Sequence, residues 1–261
     1  MNVRSIIPVF CTLAFMLICT SAYCQSNTVA AGGFATGSGG TASYSIGQID
    51  YITATGSGGS ASQGVQQPYK LNVNLKYFIQ GYYAGGGFMQ PVLYNQGIDP
   101  NPSSVNVDSV TIELHNTIAP FTMAHTFTGL LKTNGTIACT FPNASEGSSY
   151  YVVLKHRNSV ETWSASPVTL SDVVYDFTTA ANKAYGSNQI QMAPSVFAVY
   201  NGDINQDQNV DLIDLASVET DINNFAFGYV VTDINGDGNV DLLDGPVVEE
   251  NVNNFVFSVH P

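Results

Sequence analysis

The sequence predicts a mainly β protein in three parts: a small glycine-rich β-unit, a β-sandwich, and a small helical module built on two duplicated acidic loops. Charged residues make up only 10% of the chain, which also holds 24 glycines, and this is typical of turn-rich extracellular β-proteins. Apolar and polar residues alternate through the middle of the chain, as they do in half-buried strands. The last sixty residues repeat themselves and hold most of the negative charge.

The first 24 residues have the pattern of a signal peptide. Arg4 provides a short basic start, and residues 6–19 form a mostly apolar run that small residues follow. We place the cleavage after Ala22 or Cys24, and the apolar run is too short for a membrane span. A lipid anchor on Cys24 is the alternative, but Tyr23 is larger than the residue that a lipidation signal has there. The sequence therefore predicts a secreted or cell-surface protein.

Cys139 is the one cysteine that lies away from this leader, because Cys11, Cys19 and Cys24 fall in or beside it. The sequence thus predicts no disulfide framework, although the compartment would allow one. We expect Cys139 to be a small buried apolar side chain rather than a nucleophile, since no sequence feature places a histidine near it.

Residues 25–68 are rich in glycine, serine and threonine and contain a near-repeat. Ala35–Ser43 recurs as Ala54–Ser62, nineteen residues later, and Tyr44–Ile52 between them has the pattern of a strand. A phosphate-binding glycine loop is disfavoured because no lysine follows and no helical pattern begins there. We therefore expect the glycine stretches to be turns of a small β-unit.

Residues 69–200 are predicted to form one β-sandwich. Apolar side chains alternate through residues 71–77 and 110–114, with polar side chains facing the other way. Asn134-Gly135 is a strong hairpin signal between two apolar runs.

Further strands are predicted over Tyr150–Arg157 and Val196–Tyr200. The stretch from Gly129 to Arg157 resembles the immunoglobulin-like or prealbumin-like modules of bacterial surface proteins. The resemblance implies an immunoglobulin-like sandwich for this part of the chain.

The negative charge is concentrated in the last quarter of the chain. Of 20 acidic residues, twelve lie in residues 202–261, which contain no lysine or arginine. These acids alternate with valine, leucine, isoleucine and phenylalanine at fixed spacing, so the segment does not have the pattern of a solvated acidic tail. Such a surface also disfavours nucleic acid as a partner.

Two twelve-residue stretches within this segment repeat each other. Asp203–Asp214 and Asp233–Asp244 start thirty residues apart and agree at nine of twelve positions. Calcium is a hard cation that takes roughly six to eight oxygen ligands, and oxygens at positions 1, 3, 5, 7, 9 and 12 of such a loop wrap one ion. The sequence therefore predicts two calcium ions, with ligands from Asp203, Asn205, Asp207, Asn209, Asp211, Asp214, Asp233, Asn235, Asp237, Asn239, Asp241 and Asp244. The two asparagines at position 7 would act through their main-chain carbonyls, and the aspartates at position 9 directly or through water.

The two sites are expected to differ in affinity. Position 6 is Gly238 in the second loop but Gln208 in the first. This corner needs a left-handed backbone, which costs a residue other than glycine about 1 kcal/mol, so we expect the first site to be weaker. Position 12 is aspartate in both loops and requires the following helix to approach closely. Val210 and Val240 at position 8 are expected to pair the two loops by a short β-contact.

After each loop, apolar residues recur at helical spacing: Val218, Ile222 and Phe225, then Val248, Val252 and Phe255. Each repeat is thus predicted to be a loop followed by one helix. This arrangement, with aspartate at position 12, resembles the dockerin family over residues 202–258.

The resemblance implies a calcium-dependent module that binds cohesin partners through positions ten and eleven of each loop. These positions are apolar in this chain: Leu212, Ile213, Leu242 and Leu243. Gly245-Pro246 departs from the family pattern and is expected to shorten or kink the second helix.

No catalytic set emerges from the sequence. The carboxylates that could pair as in a glycosidase are scattered: Glu113, Glu146, Glu161, Asp172 and Asp176. His115, His125 and His156 lack metal-ligand spacing, and we expect His125 and His156 to be surface strand residues. Trp163 is interpreted as a core or edge aromatic, with a sugar-stacking patch as the alternative. We therefore expect a protein that is not an enzyme.

Only Asn201-Gly202 separates the last predicted strand from the first loop. A tethered module needs a longer linker, so the first hypothesis is a secreted, calcium-stabilised surface or assembly module in which Leu212-Ile213 and Leu242-Leu243 pack on the sandwich. The second is an adaptor that presents these pairs to a cohesin-like protein in a polysaccharide-degrading or surface complex, with a carbohydrate-binding sandwich. A carbohydrate-active enzyme is the third. Burial of the two pairs would favour the first hypothesis, and exposure the second.

Overall fold

A computed structural model describes residues 31–37, 40–46, 52–56, 59–63, 70–142, 144, 147–170 and 174–261, the residues up to 70 by their backbone alone. The predicted leader with Cys24, as well as Glu146 and Asp172, lies outside the described residues. The chain divides into two compact units, Met1–Pro68 and Tyr69–Pro261. Among the described helices, none has the length and apolar character needed to cross a bilayer.

The glycine-rich unit contains two short antiparallel hairpins, formed by β1 (Ala31–Gly37) with β2 (Gly40–Ile46) and by β3 (Ile52–Gly56) with β4 (Gly59–Gln63). Glycines stand at the closed end of each hairpin, so each copy of the near-repeat folds in the same way. The strand predicted over Tyr44–Ile52 is only partly observed, because β2 ends and β3 begins at its two ends and residues 47–51 lie outside the described part.

The second unit begins with short strands and one helical turn, in the order β5 (Lys70–Lys76), β6 (Tyr83–Gly85), β7 (Phe88–Met89), α1 (Val92–Asn95), β8 (Asn106–His115), β9 (Met123–Lys132), β10 (Thr136–Pro142), β11 (Ser149–His156), β12 (Ser159–Trp163), β13 (Val168–Thr169), β14 (Tyr175–Asp176), β15 (Ile190–Ala193) and β16 (Val196–Ala198). Single 3₁₀ turns follow β14 at Phe177–Thr179, Ala181–Lys183 and Tyr185–Ser187.

These strands form two main sheets. The first has the order β10–β5–β14, with β14 parallel to β5, and the second has the order β12–β11–β8–β9, with β13 added to β11. The pairs β6–β7 and β15–β16 form separate ribbons. The predicted mainly β fold with a β-sandwich is therefore confirmed.

The core lies between the two sheets and follows the predicted alternation. The inward rows of β5 and β8 are buried and belong to one continuous apolar cluster: Leu71, Val73, Leu75, Val110, Ile112 and Leu114. Each such side chain contributes about 1.5–3 kcal/mol when it is fully buried. Because the cluster includes residues of both sheets, the sheets pack face to face.

The turn at Asn134-Gly135 is present, but it does not close a hairpin. Gly135 has φ +82° and joins β9 to β10. β9 pairs with β8 and β10 pairs with β5, in different sheets. The hairpin prediction is wrong because the chain crosses from one sheet of the sandwich to the other at this turn.

The C-terminal segment forms the predicted pair of helices, α2 (Leu212–Asn223) and α3 (Gly245–Asn253). Their inward residues make a second apolar cluster with the loops, and Val160 of β12 belongs to the same cluster. Pro246 sits in the first turn of α3, where its missing N–H breaks no helical hydrogen bond. The departure at Gly245-Pro246 shortens the helix, which has nine residues against twelve in α2.

Cys139 lies fully buried on β10 as a free thiol, as predicted. Burial raises the pKa of this thiol to about 12. The thiolate is the reactive form, so burial disfavours reaction of this thiol.

We expect Cys139 to resist alkylation in the folded protein. In a chain with Cys11, Cys19 and Cys24 replaced by serine, mass spectrometry after iodoacetamide treatment should show an unmodified native protein and complete modification in urea. Equal rates in the two conditions would contradict the buried position.

Candidate metal centres and a candidate partner surface

A buried aspartate at position 12 closes each predicted metal-binding loop. Asp214 Oδ1 accepts hydrogen bonds from the N–H groups of Ile204 at 2.8 Å and Asn205 at 3.1 Å, and its Oδ2 accepts from Asp211 at 2.9 Å. Asp244 makes the same three contacts in the second loop, at 2.7, 3.0 and 2.8 Å. The carboxylate thus ties the start of the loop to the start of the exit helix, and this is how the shorter side chain is accommodated.

The aspartate at position 1 of each loop is also buried. Asp203 accepts hydrogen bonds from the N–H groups of Asp207 and Gln208, both at 3.1 Å. Asp233 makes two comparable contacts in the second loop, at 2.8 and 2.9 Å. Each loop therefore curls around its first carboxylate.

The residues at positions 3, 5 and 9 share one bonding pattern. Each uses a side-chain oxygen to accept the backbone N–H two residues further on: Asn205, Asp207, Asp211, Asn235, Asp237 and Asp241. At position 7, the side-chain amides of Asn209 and Asn239 donate to the aspartate at position 5, at 3.3 Å in both loops. The structure thus brings the twelve predicted ligands into two loops with nearly the same internal contacts.

Negative charge is crowded in both loops. Burial raises the pKa of Asp203 to about 6, and the charges of Asp214 and Asp207 add to the effect. Burial likewise raises the pKa of Asp244 to about 6 and raises that of Asp233. A bound cation would offset this repulsion and the cost of burying the carboxylates.

The donor chemistry fits calcium. Both loops offer carboxylate, amide and main-chain oxygens, which hard cations prefer, and neither offers a histidine or cysteine. Among the described residues, no three His, Cys, Asp or Glu side chains are grouped closely enough to hold a metal by themselves. Calcium binding by these mixed oxygen sets stays a prediction.

The backbone strain predicted for the first loop is observed. Gln208 has φ +76°, in the left-handed region, where the second loop has Gly238. Position 4 adds a second case that sequence reasoning missed, because Gln206 has φ +60° where the second loop has Gly236.

The predicted pairing between the two loops is wrong. Val210 N–H donates to the carbonyl of Val256, and Val240 N–H donates to the carbonyl of Ala226, both at 2.9 Å. Each loop therefore pairs with the segment that follows the exit helix of the other repeat. In this crossed arrangement, the segment that leaves each exit helix runs back to the loop of the other repeat.

The second loop is docked on the sandwich. Gln96, just after α1, donates from Nε2 to Asp233 Oδ2 at 2.5 Å, and Asn95 donates from Nδ2 to the carbonyl of Gly236 at 2.8 Å. A Cβ at Gly238 would clash with the backbone carbonyl of Asn95. Glycine in this loop thus permits close approach as well as a positive φ.

Arg157 anchors the same interface from the sandwich side. Its Nε donates to Asp108 Oδ2 at 2.7 Å, another nitrogen donates to the carbonyl of Val230, and its guanidinium carbon lies 4.4 Å from the centre of the Tyr229 ring. Burial alone would raise the pKa of Asp108, but the hydrogen bond from His156 and the charge of Arg157 hold it well below its usual value. An ionised pair therefore holds the linker between the two repeats against the sandwich.

Buried amides complete the docking. Asn251 of α3 donates from Nδ2 to Gln80 Oε1 and to the carbonyl of Asn201, both at 2.7 Å. Asn201 in turn donates to the carbonyl of Ile234 at 3.1 Å. The module is thus fixed to its own sandwich, in keeping with the short linker.

The four predicted partner-binding residues take no part in this docking. Leu212, Ile213, Leu242 and Leu243 are 70%, 62%, 78% and 66% exposed. The expectation that they pack on the sandwich is wrong, because the docking contacts come from the second loop, the linker before it, Asn251 and the backbone and side chain at Phe257 and Ser258. The start of α2 and the turn just before α3 are left open to solvent.

Of the candidate carboxylates, Glu113 and Glu161 come together on the second sheet. Lys155 Nζ lies 3.6 Å from Glu113 and 3.1 Å from Glu161 and bridges them. His115 contacts Glu113 at 2.8 Å, and the Trp163 indole donates to Glu161 at 2.6 Å.

The remaining candidates have structural contacts. Asp176 accepts the N–H of Thr178 and caps a 3₁₀ turn. His156 is buried against Asp108, so its predicted surface position is wrong, and burial lowers its pKa. Trp163 is buried, as the core or edge interpretation predicted.

Comparisons with known proteins give little further guidance. No protein-family model matches the chain, and no curated protein matches it. Two solved structures of a type II cohesin–X–dockerin complex from Acetivibrio cellulolyticus are similar. The N-terminal interface mutant has 15% identity, a TM-score of 0.43, and coverage of 71% of this chain and 97% of that chain. The C-terminal interface mutant has 14% identity, a TM-score of 0.37, and coverage of 69% and 95%. Both TM-scores lie below 0.5, so neither structure decides what this chain binds.

We expect Gln208→Gly to tighten calcium binding at the first loop about five-fold, because it removes about 1 kcal/mol of left-handed strain. Calorimetric titration of the full chain would resolve the change. Gln208→Ala, which keeps the strain, is the matched control. Equal affinities for the two variants would show that backbone strain does not set the difference between the sites.

We expect Gln96→Ala to weaken calcium binding at the second loop by about 10-fold or more, because hydrogen bonds that orient a metal-binding carboxylate have effects of this size. Titration of the full chain should show an unchanged first site. Gln191→Ala, at an exposed glutamine of β15, is the control. An unaltered second site in Gln96→Ala would show that docking does not orient Asp233.

Proposed function

We propose that this chain is a secreted or cell-surface assembly protein without catalytic activity. Its C-terminal module binds two calcium ions and presents apolar side chains to a cohesin-like partner. The observation that carries the proposal is the exposure of Leu212, Ile213, Leu242 and Leu243 beside two loops of crowded oxygen ligands. Apolar side chains in such positions mark interaction sites more often than they serve the fold.

Calcium has a structural task in this proposal. The buried carboxylates at positions 1 and 12 repel one another in each loop, and the module has only a small apolar cluster to hold it together. Metal binding would then contribute directly to folding, as it does in other small metal-binding modules. Extracellular sites of this kind need dissociation constants of only about 10⁻⁴ to 10⁻³ M.

Docking and partner binding act together rather than as alternatives. The contacts of Gln96, Arg157 and Asn251 fix the module on its sandwich, and the pairs take no part in these contacts and stay exposed. A rigid display surface loses less entropy on binding than a tethered one. In this proposal the sandwich holds the binding module in a fixed position.

A role without catalysis is supported by the contacts of the candidate catalytic carboxylates. Glu113 and Glu161 are both engaged by Lys155 in a surface ion-pair network. The second candidate function is an adaptor that delivers a carbohydrate-binding sandwich to a polysaccharide-degrading complex. The burial of Trp163 removes the sugar-stacking patch that favoured it. Export rests on the leader pattern of the sequence.

We expect calcium to raise the thermal stability of the full chain, with two ions bound. Saturation to 100 times the dissociation constant would add about 2.7 kcal/mol per site. Calorimetric titration and thermal unfolding, with and without chelator, measure both quantities. Asp214→Asn and Asp244→Asn should each abolish binding of one ion, whereas Glu219→Gln and Glu249→Gln, at exposed acids outside the loops, should not. Unchanged stability in chelator would contradict the metal's part in folding.

The partner class has its own test. Immobilised type I and type II cohesin domains should retain the full chain in calcium and release it in chelator, and Leu212→Ser with Ile213→Ser should weaken retention. If no cohesin retains the unaltered chain, the cohesin-like partner is excluded.

A further inference from the structure

Four phenylalanines on the C-terminal module are exposed in a way that the proposed function does not use. Phe225 and Phe227 follow α2, and Phe255 and Phe257 follow α3 at the equivalent positions. Phe225 and Phe255 are 85% and 83% exposed. The residues between them, Ala226 and Val256, turn inward to the small core, so each segment directs two aromatic rings outward.

The backbone conformation at Phe225 and Phe255 disfavours phenylalanine. Phe225 has φ +53° and Phe255 has φ +52°, directly after the last turn of each helix. Glycine is favoured there, and a bulky side chain costs about 1 kcal/mol or more. Both repeats carry this cost and gain no burial from it.

The crossed pairing of the repeats places each aromatic pair beside the other repeat's loop. Phe257 is bridged to Asn209 and Phe227 to Asn239. Leu212 follows Asn209 by three residues, a distance of at most about 11 Å along the chain. The same holds for Leu242 and Asn239.

From this proximity along the chain we group the exposed side chains into two composite surfaces, each drawn from both repeats. The first composite surface consists of Leu212, Ile213, Phe255 and Phe257, and the second of Leu242, Leu243, Phe225 and Phe227. At their observed exposures, each leaves on the order of 600 Å² of apolar area in solvent. A stable protein interface buries about 800 Å² on each partner, so one composite surface supplies most of such a contact.

The charge around these surfaces defines the partner. Residues 202–261 contain no lysine or arginine and twelve acids, of which eight lie in the two loops. Two bound calcium ions would offset four of these negative charges, so the module stays acidic in the calcium-bound state. A groove of about 420 Å³ lies along α3 and is lined in part by Glu249 and Glu250. Its first lining residue, Pro246, comes three residues after Leu243. An apolar surface surrounded by this negative potential favours a partner whose contact face has lysine and arginine at its rim. The same potential repels anionic lipid and nucleic acid.

We infer that the two composite surfaces bind a protein whose contact face is apolar at its centre and rimmed by lysine and arginine. The inference rests on the proposed partner-binding function and extends its contact area to the four phenylalanines. Since each composite surface takes one part from each repeat, loss of either calcium loop disrupts both surfaces.

A displayed library of random peptides is the probe that requires no known partner. It is selected on the full chain in calcium and eluted with chelator. We expect enriched peptides to combine aromatic or aliphatic residues with lysine or arginine. Phe255→Asn with Phe257→Ser, and Phe225→Asn with Phe227→Ser, should each weaken the synthesised peptides' binding about 10-fold or more. Asparagine tolerates the left-handed backbone at the first position of each pair.

Phe88→Ser is the matched control, because Phe88 is an exposed phenylalanine on β7 of the sandwich. It should bind the peptides as the unaltered chain does, and all variants should keep two calcium ions in titration. Absence of enrichment, or peptides that bind the double variants as tightly, would overturn the inference.

Two other results would also overturn it. Sedimentation could show a calcium-dependent dimer of the unaltered chain that the double variants lose, which would assign the surfaces to a second copy. Calcium-dependent pelleting with phosphatidylserine vesicles would assign them to a lipid surface. The cohesin test distinguishes this inference from the proposed function. A cohesin that binds the double variants as tightly as the unaltered chain would support the proposed function and would show that the phenylalanines are not part of the contact.

Discussion

The C-terminal module depends on the way each loop gathers its backbone around two buried carboxylates. Asp214 and Asp244 each collect three N–H groups, and these bonds close the loop. Asp214 also completes the capping box that starts α2. Several kcal/mol oppose the burial of an unpaired carboxylate, and a second carboxylate in the same loop adds to the cost. In the proposed calcium-bound state the cation offsets both. Loop closure, helix initiation and display of the apolar pair at the helix start are then parts of one equilibrium.

The same loop has two environments in the two repeats, and its sequence differences follow from them. The second loop lies against α1, where Gly236 and Gly238 have no room for a Cβ. The first loop has Gln206 and Gln208 at these positions, with the same positive φ and an exposed side chain. From the sequence, the presence of glycine in the second loop and glutamine in the first predicts only a difference in calcium affinity. The structure adds a second reason for glycine in the second loop. The residues of this loop that contact the sandwich must lack a Cβ as well as adopt a positive φ.

The parts of the structure that the sequence predicts are those that local spacing decides. Alternation identifies the buried rows of β5 and β8, and the repeat itself locates both loops and both helices. The parts that it misses depend on residues far apart in the chain. Gln96 lies 137 residues before Asp233, and His156 lies 48 residues after Asp108. The Asn134-Gly135 turn has correct local chemistry, yet pairing partners elsewhere decide that it joins two sheets.

The exposure of the apolar pairs and the rigid docking of the module have a common origin in the crossed arrangement of the repeats. The segment after each helix pairs with the loop of the other repeat. The interior of the module therefore contains Val210, Val240 and Val256, whereas the apolar pairs and the phenylalanines are exposed to solvent. The sandwich holds the module through the second loop, Asn251, the linker at Val230 and the segment at Phe257 and Ser258. A chain selected for folding alone would place glycine after each helix and polar residues at each helix start. This chain instead holds strained phenylalanines and leucines there twice, on a module that is already fixed in place, and that combination is what the proposed preorganised contact surface requires.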